Sequence, residues 1–563
     1  MYANGAFELT VDPVGRRLAV AAPGGRRRLA LSLLSALDRV DAVDETLAVA
    51  PPEEHDGTFV VERRSTIWER AWLEIRCLDD AVELQACVRG RGDLADVRLL
   101  GGRSAIPGAP LGLLASGSDL PLLFSPNPEE LLQPVRDLRT GAAIGVIGDG
   151  EPGRGRWLFT PAPLYLALGD DDGWVDLAVA APVGELSFVE LAFDTHGSGF
   201  VVRLDYDGHT RVEGEFRSPT LLLTPQVEEP YAGLRRHRDD LVARGAAPPV
   251  RAREQADWWL KPIFCGWGAQ CRLEATLGGL ARDHATQDSY DEFLGALRAH
   301  DVVPGIVVID DKWQATYGAN EPDESKWPDL PAWIAARHDE DRHVLLWWKA
   351  WDPEGLDPSL CVRNADGVPI ALDPSNAETR DFLRTMVRHL LVDLDADGFK
   401  VDFTARTPAG RALEHAGGAW GIALLHELLA TLYAAAKAAK PDALVVTHTP
   451  HPAFADVTDM IRLNDVFGGI DVVAQMTFRA DVVRAAVPEL PIDTDDWPMP
   501  DKRSWREFLE TKPAIGVPSL YYATHVDSTG EPLEDEDYAA LRRVWSEWED
   551  VRSLRAGAEV GRT

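Results

Sequence analysis

After residue 255, short apolar runs alternate with amphipathic stretches of helical period, and this alternation restricts the fold more than any other feature of the chain. The runs are KPIFCGWG (261–268), VPGIVVID (303–310), HVLLWWKA (343–350), DGFKVDF (397–403), ALVVTH (443–448), DMIRLND (459–465), LPIDTD (490–495) and GVPSLYY (516–522). Between them, ETRDFLRTMVRHLLVDL carries apolar residues at helical spacing, and the alanine-rich GIALLHELLATLYAAAKAAK stops before Pro441. Brief apolar runs separated by helices read as parallel strands covered on both faces. Eight such runs over roughly 300 residues match the count and length of a (β/α)8 TIM barrel. The fifth and sixth lie only about a dozen residues apart, near the lower limit for a crossover, so a degenerate helix is expected there.

Upstream the pattern has a different period. ERAWLEIRCLDDAVELQACVRG alternates apolar and polar residues around the turn-like Asp79-Asp80, and GELSFVELAFDTHGSGFVVRLDYDGHTRVEGEF does the same between Gly-rich turns. Period-two strands at regular spacing predict an N-terminal β-sandwich over 1–228. RRLALSLLSALDRV reads equally as helix or strand. PYAGLRRHRDDLVARGAA predicts a helix that starts near a proline and ends at Gly245, within a linker of 229–254. The barrel then occupies 255–563. After its eighth strand the chain offers mainly the helix DEDYAALRRVWSEWEDV, so no C-terminal β-domain is expected.

Charge and cysteine use narrow the function classes. The chain of 563 residues has 91 acids against 57 bases, a net charge of −34, which repels phosphate backbones and argues against nucleic acid. Five cysteines form no CxxC pair, which predicts free thiols rather than a disulfide scaffold or a zinc cage. The N-terminus lacks a basic head followed by an apolar stretch, and no apolar run reaches membrane-spanning length, so a cytoplasmic protein is expected. Homo-oligomerisation stays open. The 18 tryptophans suit sugar-stacking platforms and cores alike.

In a barrel of this kind the active site lies at the carboxyl ends of the strands, and charged residues collect there. The second run ends in Asp310-Asp311, the third in Trp347-Trp348-Lys349, the fourth in Lys400-Val401-Asp402 and the fifth in His448. The sixth carries Arg462, Asn464 and Asp465, and the seventh Asp493 and Asp495. Strand geometry puts Lys400 and Asp402 on one face and Phe399, Val401 and Phe403 on the other. Taken singly these signals are ordinary: Asp-Asp caps helices, Lys-x-Asp makes structural ion pairs, Asp493–Asp496 can be a solvated turn, and His448 with His451 in a loop is seldom a metal site. No metal and no cofactor are expected. Two carboxylates across a cleft can cleave a glycosidic bond, one attacking and one protonating the leaving oxygen. The attacker must stay ionised, as a neighbouring ammonium favours, and the acid must hold its proton, as burial favours. Asp402 beside Lys400 fits the first role and Asp465 the second, although Arg462 opposes the second unless its guanidinium is aimed at a sugar hydroxyl. Asp310 and Asp311 lie where acceptors for sugar hydroxyls are useful.

VVIDDKW, DGFKVDF and IRLNDVFGGID resemble, in order and spacing, the motifs of glycoside hydrolase family 36, which holds α-galactosidases and raffinose-synthase-like proteins. The resemblance covers most of the chain in architecture but only short motifs in sequence. It implies a retaining α-glycoside hydrolase, foremost an α-galactosidase, with Asp402 as nucleophile and Asp465 as acid/base. Asp310, Asp311, Lys400 and Arg462 would hold the glycone, and Trp267 and Trp348 would line it. The substrate would be an oligosaccharide or small α-glycoside. The chain departs from the family pattern at THTPHPAF, where relatives have a Cys- and Gly-rich segment, and at Lys349, where relatives often carry an acid. An α-galactosyl transglycosylase or a member with another glycone (N-acetylgalactosamine or a pentopyranose) would use the same carboxylates. A metal-dependent barrel hydrolase needs a His-x-His on the first strand, which IFCGWGAQ lacks. A sugar-binding protein without catalysis would not need both carboxylates.

Overall fold

The structure is a computed structural model that describes the chain except residues 13, 15, 24–26, 107–111, 128–134, 138–145, 149–158, 197–198, 251–254 and 561–563. The last four residues of the expected linker, 251–254, therefore lie outside the described residues.

Strands occupy the chain from Tyr2 to Val227. They form a five-stranded and a sixteen-stranded sheet, antiparallel except where Gly101–Ser104 pairs with Glu45–Val49. Alternation is the cause: in Arg70–Cys77, Ala71, Leu73 and Ile75 are buried. The ambiguous RRLALSLLSALDRV forms two strands, Arg27–Ser32 and Ala36–Arg39. Leu29 and Leu31 of the small sheet join Leu73 and Ile75 of the large one in a single core, as two half-apolar sheets must.

Two long strands, Val82–Leu99 and Gly199–Arg217, pair antiparallel along the large sheet. Their register jumps from Leu94↔Thr210 to Asp96↔Asp205, so residues 206–209 bulge opposite Ala95. Asp207 and Gly208 take left-handed φ of 55° and 88° to make the bulge, which re-aims side chains. Asp207 Oδ2 accepts from Gly410 N at 2.7 Å, and the His209 Nε2 to Gly410 O distance is 2.8 Å. The His209 ring stacks on the fully buried Trp420 with centroids 3.6 Å apart. The sheets thus hold both backbone groups of a residue in the loop that follows the fourth barrel strand. Thr160 N also donates to His448 O at 3.0 Å, and Ile422 N to Phe188 O at 3.1 Å.

The connector helix Pro230–Ala243 begins where Glu229 accepts from Tyr231 N at 2.9 Å. One side buries Leu241 against Ala81, Ala180 and Leu222 of the sheets. Arg238 reaches Ala485 O on a barrel helix at 3.3 Å.

All eight apolar runs contain a barrel strand: Ile263–Cys265, Ile306–Ile309, His343–Lys349, Gly398–Asp402, Leu444–Thr447, Met460–Arg462, Ile492–Asp493 and Ser519–Leu520. They pair in parallel in sequence order, and the eighth pairs with the first. Thr494 N to Val517 O at 3.1 Å and Val517 N to Ile492 O at 2.7 Å link the seventh to the eighth. Gly398 is required where it stands: its φ is 152°, and a Cβ would lie 2.0 Å from Leu444 O. Ile263, Ile306, Val308, Leu345, Leu444, Val446 and Met460 fill the barrel, and Trp258, Trp259 and Trp548 pack on this core from the amino end. Trp548 comes from the C-terminal helix Asp535–Val560, and its Nε1 donates to Leu260 O at 2.7 Å.

The crossover from the fifth to the sixth strand carries only the short turn Pro452–Phe454, because so few residues leave no room for more. Gly421–Ala439 corrects one expectation. At 19 residues and mean hydropathy 1.3 it is long and apolar enough to cross a membrane, yet Ile422, Leu425, Leu428 and Leu432 are fully buried in the protein core.

Candidate active site

Strand alternation places the charges. Phe399 and Val401 are fully buried on the outer face of the fourth strand, and Lys400 and Asp402 point inward. Asp402, Asp310, Asp311, Lys400, Asp465 and Trp267 line one cavity of about 190 Å³ with Trp347, Phe403, Trp497 and Tyr521. Three sequence-derived residues are elsewhere. Arg462 lies under the cavity, 1% exposed. Lys349 sits beside it, paired with Asp352 at 2.7 Å, and its ammonium is 3.9 Å from the Tyr317 ring centre. Trp348 is the correction. It is in register with Val401 and shares that residue's outward face, whereas Trp347, in register with Lys400, turns to the cavity.

Lys400 does not bind Asp402. Its Nζ donates to Asp310 Oδ2 at 2.7 Å and lies 3.4 Å from Cys265 Sγ, and the thiol is 2.9 Å from the same carboxylate oxygen. Burial would lower the Lys400 ammonium, but Asp310 outweighs it and keeps the lysine charged. Asp310 Oδ1 accepts from Asp311 N at 2.8 Å. Asp310 is thus largely satisfied by protein, and its neighbour is the freer acid of the pair.

Asp402 Oδ1 accepts from Arg462 Nη2 at 3.1 Å and from Phe403 N at 2.9 Å, and Oδ2 accepts from Trp347 Nε1 at 3.2 Å. Phe403 takes a left-handed φ of 62° as the strand turns there. Burial alone would raise the Asp402 carboxyl. Arg462, and after it Lys400, outweigh burial and hold it below the usual carboxylate range. Arg462 Nη1 binds Asp465 Oδ1 at 3.1 Å and Asp495 Oδ2 at 2.6 Å, and Nη2 also binds Asn464 Oδ1 at 2.9 Å. Burial, reinforced by Asp495 and Asp402, outweighs Arg462 at Asp465 and pushes that carboxyl up to about 6. One guanidinium therefore serves two carboxyls displaced in opposite directions, a pattern typical of acid–base sites. The Asp465 side chain is 31% exposed against 15% for Asp402, so it is the more open of the two.

Asp493–Asp496 form no solvated turn. Asp493, Asp495 and Asp496 are all buried. Asp495 Oδ1 accepts from Asp496 N at 2.7 Å, and Asp496 Oδ2 pairs with Lys512 at 2.8 Å. His448 is fully buried, 2.6 Å from Thr404 Oγ1, and burial holds it neutral, down to about 3. His451 Nδ1 accepts from Ala453 N at 3.1 Å and caps the short turn. Among the described residues no group of three or more His, Cys, Asp or Glu could hold a metal ion. Sequence reasoning missed Trp347, Trp497, Tyr521 and Tyr317. Only strand parity could have distinguished Trp347 from Trp348, and it needed the register to Lys400.

A parallel barrel with two carboxylates lining one aromatic-walled cavity at its strand ends is an arrangement suited to glycoside chemistry. Solved structures of similar fold include glycoside hydrolases. One is a GH31 family sulfoquinovosidase from E. rectale in complex with the aza-sugar inhibitor IFGSQ, at a TM-score of 0.60 and 10% identity over 98% of this chain and 84% of that one. A second is the α-galactosidase TtGalA from Thermus thermophilus in complex with p-nitrophenyl α-D-galactopyranoside, at 0.51 and 16% over 84% and 92%. A third is a cycloalternan-degrading enzyme from Trueperella pyogenes, at 0.53 and 12% over 97% and 83%. At such identities the likeness is one of fold. No family model matches the chain, and no curated protein matches it.

Proposed function

We propose that the protein is a retaining α-glycoside hydrolase of the family 36 type, acting foremost on α-galactosides. The observation that carries the reading is the single guanidinium between Asp402 and Asp465. Asp402, kept ionised, attacks the anomeric carbon through Oδ2, the oxygen that among the described residues accepts only from Trp347 Nε1. Asp465 protonates the departing oxygen. Once Asp402 is esterified by the sugar, its negative charge is gone. Asp465 then gives up its proton more readily and activates water for the second displacement. Arg462 stays fixed through Asp495 and needs no rearrangement between the two steps.

The cavity is the size of one sugar ring. Trp267, Trp497 and Tyr521 supply apolar faces, and Asp311 supplies an acceptor. The α-galactoside preference rests on the resemblance of Asp310-Asp311 and of Lys400-Asp402 to family 36 motifs, and the α-galactosidase among the structural neighbours is compatible with it. The five free cysteines suit a reducing, cytoplasmic setting. A panel of aryl α- and β-glycosides, including N-acetylated and pentose forms, tests the reading. We expect turnover of aryl α-galactoside with retention of anomeric configuration by proton NMR. Turnover of β-glycosides alone, or inversion, would sink it. Addition of a sugar acceptor to the same assay separates hydrolysis from transglycosylation.

A further inference from the structure

The two aspartates after the second strand differ in what remains free on them. Asp310 is 2% exposed and engaged on both oxygens. Asp311 faces the cavity and accepts, on Oδ1, the hydroxyl of Tyr317 at 2.8 Å. Tyr317 is the donor in that bond, because an ionised carboxylate can only accept. No other side-chain hydrogen bond to Asp311 is present among the described residues.

Tyr317 is itself held on every side. The Lys312 and Lys349 ammonium groups lie 3.8 Å and 3.9 Å from its ring centre. Each lysine is anchored by an acid, Lys312 by Glu354 at 2.6 Å and Lys349 by Asp352 at 2.7 Å. Glu354 Oε2 also accepts from Tyr317 N at 2.9 Å, and the ring packs 5.9 Å from that of Trp347. Two cations against one ring, each charge already paired, form a rigid mount. Lys312 adopts a left-handed φ of 72° within it, a strained geometry for a side chain of that size.

Resting on the α-glycosidase reading above, we propose that Tyr317 is a specificity-determining positioning residue: by occupying Asp311 Oδ1 it leaves Oδ2 as a one-directional acceptor for a single glycone hydroxyl. A freely rotating carboxylate would accept from epimeric hydroxyls alike. One fixed by a mounted phenol accepts from one direction, and a sugar lacking that hydroxyl leaves the acid buried and unpaired. Asp311 is faced by Asp310 on its own strand end, Tyr317 and Lys326 from the adjoining loop, Lys349 from the third strand and Asp402 from the fourth. Burial pushes its carboxyl up to about 6 against the Tyr317 hydrogen bond. Loss of that bond should therefore raise it further.

The test is Tyr317→Phe in the full chain, which keeps the ring and both lysine contacts, alongside Asp311→Asn and the double variant. With aryl α-galactoside and its 4-deoxy and 6-deoxy forms we expect KM for the parent sugar to rise about tenfold with kcat little changed. We also expect the preference over one deoxy form to shrink by a similar factor, and the acidic limb of kcat/KM to move to higher pH. In the Asp311→Asn background, Tyr317→Phe should add nothing. A Tyr317→Phe variant with wild-type KM, pH profile and deoxy-sugar discrimination overturns the proposal while leaving the glycosidase reading intact, as does a uniform loss with unaltered KM and pH profile. Absence of any α-glycoside turnover or binding by the wild type overturns both.

Discussion

Asp402 and Asp465 are bridged by one buried guanidinium, with Arg462 Nη2 3.1 Å from the first and Nη1 3.1 Å from the second. Neither carboxyl can change its charge without the other sensing it. This is the coupling a double displacement needs, because the attacker loses its negative charge as the acid becomes a base.

Replacement of Asp402 is the most direct check of the proposed function. Asp402→Asn should reduce kcat on aryl α-galactoside by at least about a thousandfold, with the thermal transition within a few degrees of wild type. Sodium azide should then restore part of the turnover and yield a glycosyl azide of inverted configuration. Near-normal activity of the variant on every aryl α-glycoside tested would remove the nucleophile assignment.

On the proposed function, Asp465 sets a pH limb. With its carboxyl near 6, Asp465 is protonated below that pH and increasingly ionised above it. For substrates with poor leaving groups, kcat/KM should fall as pH rises through about 6, and Asp465→Asn should flatten that limb. The same variant should lose far more activity on a disaccharide than on a nitrophenyl glycoside, whose leaving group needs no proton. Equal losses on both would count against the assignment.

Lys400 answers to Asp310, and the two side chains are 5% and 3% exposed. Lys400→Met should cost about 3–5 kcal/mol in a denaturant titration, because it strands a buried carboxylate. Asp310→Asn in the same background should recover part of that loss. A Lys400→Met variant as stable as wild type would show that the pair is not needed to hold the barrel floor.

A separate pH effect sits between the sheets and the connector helix. Burial raises the Asp176 carboxyl to about 7, and the hydrogen bond from Thr224 N at 3.1 Å only partly offsets it. The ordinary value, 3.8, applies to the unfolded chain. The folded state therefore binds the extra proton between these pH values, and stability is lost as pH rises toward 7. Asp176→Asn removes the titration. Its stability advantage over wild type should grow between pH 4 and 7, to a few kcal/mol at most, and level off above. A gap in melting temperature that does not vary with pH would contradict the shift.

The barrel was legible because parallel strands buried on both faces leave continuous apolar runs, and all eight coincide with strands. Asp402 and Asp465 were legible as candidates because charges at strand ends stand out against such runs. What lay hidden depended on partners distant in the chain. Lys400 reads as Asp402's neighbour but pairs with Asp310, 90 residues away. Asp493–Asp496 could equally have been a solvated turn, yet Arg462 and Lys512 allow the segment to be buried. Trp347 and Trp348 are indistinguishable by type, and only register decides which faces the cavity. The tryptophans packed at the amino end draw on residues 258, 259 and 548, and no local pattern unites them.

The bulge at Asp207 and His209 gives the N-terminal sheets a hand on the loop behind Asp402. A barrel expressed alone would leave Gly410 untethered and the stacked face of Trp420 open to water. Anyone shortening this chain, or grafting its barrel onto another scaffold, should carry the two halves as one inseparable piece.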